Sequence, residues 1–537
     1  MKNLWKKIYG GLVVSFLLLT LPLSVWAEKV ILLHTNDIHC GVEDNIGLAK
    51  VAQYKKDLLK ETPYVALVDA GDAVQGAPVG KLSGGMSVVK MMNAAGYDFL
   101  IPGNHEFDYG MEQFFKLAKK QKTGYYSANF VNLPTNKLVL PPYKMMTFGK
   151  KKIAFLGATT PSTFINSTPQ FFQNEKGQFI YGFCEDKEGT KLYNQLQKYI
   201  DQARGEGADY VVLVAHLGSD GSIPVWSSEA VIKNTTGIDV LIDGHSHELY
   251  EREVFNKKGE KVLLAQTGTK MKSVGKVEIN DNGQITATLI KELKDADPGV
   301  LKVIAKENKR FEKILNNPMG ETLVDLTIDD PVTGERRIRN GETNLGDLVA
   351  DAYRNVLKTD VAMINGGGIR VNLAKGTLTY NDLLAAFPFG NMCAVVDCTG
   401  QQILDALEMG AANYPEENGG FFQVSGLTYT IDSKIPSTVK MDDKGNFVSV
   451  AGVRRVKDVM VNGQPLDPQG DYTVGGVTYI LKSGGNGMTM FRDAVLLSDG
   501  DISDVDAINE FIKTHLNGKV KEGYEKPEGQ GRIKILQ

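Results

Sequence analysis

Seven short apolar runs, separated by stretches with helical periodicity, occupy residues 29 to 275 of this 537-residue chain. Each run has the length of a buried strand and ends in polar residues. The runs are Val30–Leu33, Tyr64–Val68, Phe99–Ile101, Ile153–Leu156, Tyr210–Val214, Val240–Ile242 and Val262–Ala265. This alternation predicts an α/β domain, and open α/β sheets bind ligands at the carboxyl ends of their strands.

The second half of the chain has a different pattern of predicted helices, strands and turns. A Pro-Gly pair at residues 298–299 begins a stretch with helical periodicity, and residues 316–320 read as a linker. Beyond it come β-rich runs, turn signals such as Asn462-Gly463, and helices expected near 344–357 and 400–412. We predict a first domain over 28–296, a linker helix over 297–320 and a second domain over 321–537.

The first 27 residues are typical of a secretory signal peptide. Three lysines precede an apolar run over residues 8–26, which closes at the small-residue site Val25-Trp26-Ala27. An uncleaved membrane anchor is the alternative, because the run is near the length that a spanning helix needs. Cleavage after Ala27 predicts a periplasmic or extracellular protein with no stable membrane anchor.

The charge balance limits the class of partner. The chain has 60 Lys plus Arg against 64 Asp plus Glu, so no basic surface attracts a nucleic acid polymer, and any phosphate site must be local. Its four cysteines form no CxxC pair or zinc-knuckle spacing, and we interpret them as structural.

Five clusters of Asp, Asn and His follow the predicted strands directly. They are Asp37-Ile38-His39, Gly71-Asp72, Gly103-Asn104-His105-Glu106-Phe107-Asp108, His216 and Gly244-His245-Ser246-His247. Taken singly, most have an ordinary explanation: a Gly-Asp is usually a turn, and His216 could be a buried core histidine. Together they hold five of the seven histidines, which chance placement does not explain.

The mixture of imidazole, carboxylate and carboxamide groups predicts a metal centre. Such donors suit zinc, manganese or a similar divalent ion better than calcium. More than four candidate donors on one rim indicate two metal ions with a bridging carboxylate between them.

In order and spacing these clusters resemble the calcineurin-like metallophosphoesterases. Asp108 and a second domain with Asn365-Gly366-Gly367-Gly368-Ile369-Arg370 and Pro388-Phe389-Gly390-Asn391 narrow the resemblance to the secreted 5′-nucleotidase family. The resemblance implies a four-layer α/β/β/α first domain and an α+β substrate-binding second domain. It covers essentially the whole chain after residue 27.

The resemblance also implies roles for individual residues. One metal ion would be held by Asp37, His39, Asp72 and His247, and the other by Asp72, Asn104, His216 and His245. His105 would pair with Asp108, which favours the cationic imidazole that stabilises phosphoryl charge or protonates the leaving oxygen.

Six residues of the second domain would bind the substrate: Arg339, Asn365, Arg370, Phe389, Asn391 and Asn486. The arginines could fork onto phosphate or ribose oxygens, and Phe389 could stack on a base. A surface charge at Arg339 and a core side chain at Phe389 are the alternatives.

One departure from the family pattern concerns the base pocket. The family places a second aromatic residue six positions before an aspartate, and here Ile480 and Asn486 stand at those positions. Tyr479 is adjacent, but in a strand it would point the other way. Without that second aromatic residue, we expect looser or different selectivity for the nucleotide base.

The resemblance therefore implies an exported dimetal hydrolase that removes the 5′-phosphate from nucleoside monophosphates, and possible further substrates are nucleotide sugars or diphosphates. A 2′,3′-cyclic-nucleotide phosphodiesterase with 3′-nucleotidase activity is the alternative within the superfamily. A non-catalytic nucleotide-binding protein is the alternative from another class.

Overall fold

The computed structural model describes residues 29–219, 223–521 and 523–536. The predicted signal peptide lies outside the described residues. Within them the chain forms two α/β domains. No helix in these ranges is both long and apolar enough to cross a membrane.

The first domain contains two large sheets, and all seven predicted strands belong to them. In spatial order, the first sheet consists of Ile285–Ile290, Val274–Ile279, Val30–Thr35, Val65–Asp69 and Phe99–Leu100. The second consists of Leu249–Phe255, Lys261–Thr267, Val240–Ile242, Tyr210–His216, Lys151–Thr159 and Tyr143–Phe148. Val131–Asn132, Lys137–Leu138 and Tyr181–Gly182 form a small third sheet.

Alternate residues of the strands face different cores, which establishes the layer order. Leu32 and Val68 of the first sheet pack with Val212 and Val240 of the second in one buried cluster between the sheets. Their neighbours along the strands pack outward against helices. This confirms the four-layer α/β/β/α domain.

The helices of the first domain cover these outer faces. They are Leu48–Glu61, Pro78–Ser83, Met86–Ala95, Met111–Lys120, Thr163–Asn166, Thr190–Gly205 and Ser228–Asn234.

The linker helix, Pro298–Lys309, is anchored to the first domain. Asp297 caps its first turn by accepting a hydrogen bond from Val300 N at 2.9 Å. Near its other end the buried Glu307 carboxylate accepts hydrogen bonds from Ser87 Oγ at 2.7 Å and Lys90 Nζ at 2.9 Å. A short helix, Glu312–Leu315, follows.

The second domain is built on a five-stranded sheet with helices around it. Its strand order is Phe422–Ser425, Val361–Asn365, Asp471–Val477, Met392–Thr399 and Val495–Ser503. A second sheet contains Gln464–Pro465, Val456–Val461, Leu427–Asp432 and Ile533–Leu536; a third contains Gly376–Thr379, Pro318–Thr322 and Lys519–Val520; a hairpin joins Val439–Met441 to Phe447–Val450. The helices are Asn344–Leu357, Tyr380–Ala386, Gly400–Gly410, Thr478–Leu481 and Asp504–Thr514.

The structure confirms both helices predicted for this domain, and it differs at the linker. Pro318–Thr322, of which the first three residues were expected in the linker, is a strand paired with Gly376–Thr379. Its pairing partners belong to the second domain, although the exact domain boundaries stay predictions.

Candidate metal centre and substrate cavity

The carboxyl ends of the central strands meet on one side of the first domain. Val30–Thr35 runs parallel to Val65–Asp69 with Thr35 opposite Asp69, and Tyr210–His216 runs parallel to Val240–Ile242. The five polar clusters follow these ends and lie close together. Two groups of donor atoms could each hold a metal ion: Asp37 with His39 and His247, and Asp72 with His216 and His245.

The first group is arranged around the facing ring nitrogens of two histidines. His39 Nε2 lies 3.0 Å from His247 Nε2, and His247 Nε2 lies 3.3 Å from Asp37 Oδ1. His39 Nδ1 lies 3.1 Å from the carbonyl oxygen of Gln75, which can only accept, so the Nε2 lone pair is directed into the centre.

The second group repeats this arrangement. His216 Nδ1 donates to the carbonyl oxygen of Ala70 at 2.7 Å, and its Nε2 lies 3.0 Å from Asp72 Oδ2 without forming a hydrogen bond. Asn104 Oδ1 is also buried without a hydrogen-bond partner.

Asp72 lies between the two groups. Its Oδ2 is 3.0 Å from His216 Nε2 and 3.9 Å from His39 Nε2. Its Oδ1 accepts a hydrogen bond from His105 N at 2.8 Å, which fixes the orientation of the carboxylate. The predicted bridging ligand therefore lies beside histidines of both groups.

The electrostatics of the site favour a bound cation. Burial lowers the pKa of His39 well below its ordinary value, and His247 lowers it further. Burial raises the pKa of Asp37, but His247 and His216 outweigh burial and bring it to about 2. Burial lowers the pKa of His216, but Asp72 and Asp37 outweigh burial and raise it to about 10. Carboxylates and histidine ring nitrogens therefore converge in a buried space, where a divalent ion would take the place of the protons between them. The residues present fit two such ions.

Backbone strain coincides with these donors. Five of them have positive φ angles: Asp37 at 49°, His39 at 46°, Asp72 at 57°, His245 at 79° and His247 at 61°. Residues other than glycine rarely adopt this region, and its cost is tolerated mainly at functional sites.

Glu106 is a structural element of the site that the sequence analysis did not assign. Its buried carboxylate accepts hydrogen bonds from the backbone N–H groups of Asp72, Ala73 and Gly103 at 2.7 to 2.8 Å. It thereby ties two of the strand-end loops together. The sequence signal that could have identified Glu106 is its position inside a run of candidate metal ligands.

His105 and Asp108 form a pair beside the metal centre. His105 Nδ1 lies 2.5 Å from Asp108 Oδ2, while His105 Nε2 stays 4.0 Å from Asp72 Oδ2. Burial lowers the pKa of His105, but Asp108 and Asp72 outweigh burial and raise it above its ordinary value. Asp108 Oδ1 accepts a second hydrogen bond, from Ser167 Oγ at 2.8 Å, and sequence reasoning did not identify Ser167.

A cavity of about 850 Å³ lies between the metal centre and the second domain. Each of the six predicted substrate-binding residues lines it: Arg339, Asn365, Arg370, Phe389, Asn391 and Asn486. His105, Asp108 and Asp72 line its opposite side. The structure therefore brings together the predicted catalytic and binding residues, which come from different domains.

Phe389 and Arg370 reach towards the metal centre. The Phe389 ring lies 5.5 Å from the His105 ring, centroid to centroid, and the Arg370 guanidinium lies 5.6 Å from the Phe389 centroid. Burial and the charge of Arg336 lower the pKa of Arg370 to about 10, which leaves it cationic at neutral pH.

Arg339 lines the cavity wall and its Nε atom is buried without a partner. Its Nη1 lies 3.9 Å from Glu417. Arg336 also lines the cavity, and its Nε and Nη2 groups both donate to the Glu417 carboxylate. Arg336 and Glu417 were not predicted as cavity residues, because a charged residue near a loop is usually exposed.

The structure corrects the expected arrangement of Ile480 and Tyr479. These residues lie in the short helix Thr478–Leu481 and not in a strand. Ile480 is completely buried in the core of the second domain, whereas Tyr479 lines the cavity beside Asn486. The expectation that Tyr479 points away was wrong because it assumed strand alternation, and an aromatic ring is present at this wall.

Comparisons with known proteins agree with this architecture. The family model for calcineurin-like phosphoesterase matches residues 31–249, and that for the 5′-nucleotidase C-terminal domain matches residues 318–493. The fold and the two donor groups define the chain as a calcineurin-like metallophosphoesterase, a class that binds divalent metal ions. With its second domain, the chain belongs to the 5′-nucleotidase family.

Individual relatives cover nearly the whole chain. It is 27% identical to the trifunctional nucleotide phosphoesterase protein YfkN of Bacillus subtilis over 94% of this chain, but spans only 34% of that protein. It is also 27% identical to the 5′-nucleotidase of Homo sapiens, with 97% of this chain and 94% of the relative covered. The crystal structure of the 5′-nucleotidase precursor from Thermus thermophilus superposes with a TM-score of 0.78 at 25% identity, covering 95% of this chain and 99% of that one.

Proposed function

We propose that this protein hydrolyses nucleoside 5′-monophosphates to nucleosides and phosphate. The observation that carries the proposal is the cavity that joins the two donor groups to Phe389, Tyr479 and two arginines. A phosphate at the metal centre would leave a nucleoside extending towards the aromatic side chains of the second domain.

The metal ligands of this proposal are those that the family resemblance implies. Asp37, His39, Asp72 and His247 would hold one divalent ion, and Asp72, Asn104, His216 and His245 the other. The unpartnered atoms Asn104 Oδ1 and His216 Nε2 support this set. Such ions, zinc or manganese or similar, supply Lewis acidity that activates water and neutralises phosphate charge.

His105 would act on the reacting phosphate as a cation. Asp108 holds its Nδ1 proton and directs Nε2 towards the cavity, where it can stabilise phosphoryl charge or protonate the leaving oxygen. No serine or cysteine nucleophile would be required, because the bound ions would supply an activated water as the attacking group.

The second domain would select the substrate. Arg339 and Arg370 offer guanidinium groups to phosphate or ribose oxygens, and Phe389 and Tyr479 offer aromatic faces to the base. Asn365, Asn391 and Asn486 would add hydrogen bonds; Asn486 Oδ1 is buried and has no protein partner.

The test is phosphate release by the purified protein with manganese, with a chelator as the control, from 5′-AMP, 5′-UMP, 3′-AMP, 2′,3′-cyclic AMP and a nucleotide sugar. We expect chelator-sensitive release chiefly from the 5′-monophosphates. Preference for the cyclic or 3′ substrate would favour the phosphodiesterase alternative. Nucleotide binding without turnover of any phosphate ester would favour the non-catalytic one.

We also propose that the protein is exported, on the basis of the N-terminal sequence alone. Amino-terminal sequencing of protein recovered outside the cytoplasm tests this, and a mature chain that begins at Glu28 is the expected result.

A further inference from the structure

A series of hydrogen bonds crosses the domain interface and ends at His105. It begins at Asn486 in the second domain, passes through Tyr479 to the backbone of Ile165, and continues two residues further along the chain through Ser167 to Asp108. The hydrogen bonds that Tyr479 and Ser167 donate in this series are not needed to explain metal binding.

Ser167 completes the hydrogen bonding of the Asp108 carboxylate. Oδ2 of Asp108 faces His105 Nδ1 at 2.5 Å, and Oδ1 accepts from Ser167 Oγ at 2.8 Å. Because both oxygens are engaged, the carboxylate is fixed in rotation as well as in position. The Ser167 residue is 2% exposed and lies along the wall of the cavity, beside the Asp108 carboxylate that it bonds.

The segment that carries Ser167 is held from the other domain. Ser167 directly follows the short helix Thr163–Asn166 and donates its own N–H to the Thr163 carbonyl at 2.8 Å. Tyr479 Oη donates to the Ile165 carbonyl at 2.7 Å and accepts from Asn486 N at 3.2 Å. Tyr479 therefore both lines the cavity and contacts the first domain.

We propose that Ser167 is a positioning residue for the Asp108–His105 pair and that Tyr479, from the second domain, holds the Ser167 segment in place. The inference rests on the proposed role of His105 and Asp108. It makes the alignment of His105 depend on the approach of the substrate-binding domain.

A double-mutant cycle tests the first step. We expect Ser167→Ala to lower kcat for phenyl phosphate about tenfold with KM changed less than about twofold, since a misplaced group costs turnover more than binding. In an Asp108→Ala background the same substitution should lower kcat less than about twofold, because Ser167 then has no carboxylate to hold.

Two matched variants separate positioning from general packing. Ser167→Thr keeps the hydroxyl group and should recover most of the activity. Ser162→Ala removes a buried serine of the same segment, which bonds Thr160 and Asn166 but not Asp108, and should leave kcat within about twofold. Thermal unfolding and metal content of every variant confirm that it is folded and loaded.

The second step is tested with Tyr479→Phe, which keeps the aromatic ring and removes the hydroxyl group. We expect a threefold to tenfold lower kcat for phenyl phosphate, and little further loss when it is added to Ser167→Ala. Tyr472→Phe, whose hydroxyl bonds Asp467 N within the second domain, is the control.

Phenyl phosphate is used because it does not need the nucleoside pocket. Failure on 5′-AMP alone would therefore overturn the proposed substrate and leave the positioning inference testable. Full additivity of Ser167→Ala with Asp108→Ala, an unchanged kcat in Ser167→Ala, or no recovery in Ser167→Thr would overturn the positioning role. Full additivity with Tyr479→Phe would overturn the coupling between domains.

Discussion

The two walls of the cavity differ in which polar atoms they leave without protein partners. On the metal side these are electron-pair donors, such as Asn104 Oδ1 and His216 Nε2. On the second-domain side they are of both kinds: the Arg339 Nε–H group can only donate, and Asn486 Oδ1 can only accept. The first wall suits a cation, and the second suits a ligand that both accepts and donates hydrogen bonds, so the space between them suits a metal-bound phosphate ester with hydroxyl groups.

The walls also differ in how their side chains are held. Asp72, His39 and His216 are fixed by bonds to backbone groups of the segments that follow the strands, and several donors occupy strained φ angles. The binding residues lie mostly in loops of the second domain, with Asn365 at the end of a strand and Tyr479 in a short helix. Both walls thus place functional side chains on loops, and on the metal side those loops follow the ends of adjacent parallel strands.

The largest effect is expected from Asp72→Asn, which would remove the bridging charge. We expect kcat/KM for 5′-AMP to fall at least about 10³-fold, since two ions would lose a shared ligand. Elemental analysis should show a metal content well below two ions per chain. Asp57→Asn, at an exposed carboxylate that bonds Lys60, is the control, and full metal content in Asp72→Asn would contradict the bridging role.

Removal of an arginine from the second-domain wall of the cavity should weaken the reaction with substrate and leave metal binding unchanged. Arg370→Ala should lower kcat/KM for 5′-AMP about 10- to 150-fold, as expected for a lost hydrogen bond to a charged group. Metal content should be unchanged. Arg337→Ala serves as the control, because Arg337 pairs with Asp330 and does not line the cavity; equal losses in both variants would argue against a phosphate or ribose contact.

The aromatic wall is tested by Tyr479→Leu against Ile480→Val. Loss of the Tyr479 ring removes about 1 to 3 kcal/mol of stacking, which should raise KM for 5′-AMP at least about fivefold. Ile480→Val should leave KM unchanged and cost about 0.5 to 1.5 kcal/mol of stability, as is usual for one methylene lost from a core. The opposite pattern would restore Ile480 as the pocket residue.

The smallest effect is expected at the linker. Burial raises the pKa of Glu307, but hydrogen bonds from Lys90, Ser87 and Arg310 outweigh it and bring the pKa to about 2. Its stabilisation is therefore complete above the unfolded value near 4.5 and is lost as the pH falls towards 2.

Glu307→Gln should accordingly lower the melting temperature by a few degrees at pH 7 and by less at pH 3, as measured by calorimetry. Activity at neutral pH should stay within about twofold. A larger loss at pH 3 than at pH 7 would show that the charge of Glu307 is not what anchors the linker helix.

The sequence alone determined the chemical identity of the site. Strand-end clusters with five of seven histidines predicted the metal rim, because period and composition reveal where buried strands end. The family pattern added the residues of the binding wall, and the structure places all six of them in the cavity.

Only the tertiary structure decided the supporting contacts. Glu106 ties two loops together and Ser167 holds Asp108, and both contacts join segments that are far apart in sequence. Tyr479 rather than Ile480 faces the cavity, because these residues form a local helix where a strand was assumed. Residue type and spacing indicate what a side chain can bind. The direction of the side chain and its partner are set by tertiary packing, which cannot be read from a local sequence pattern.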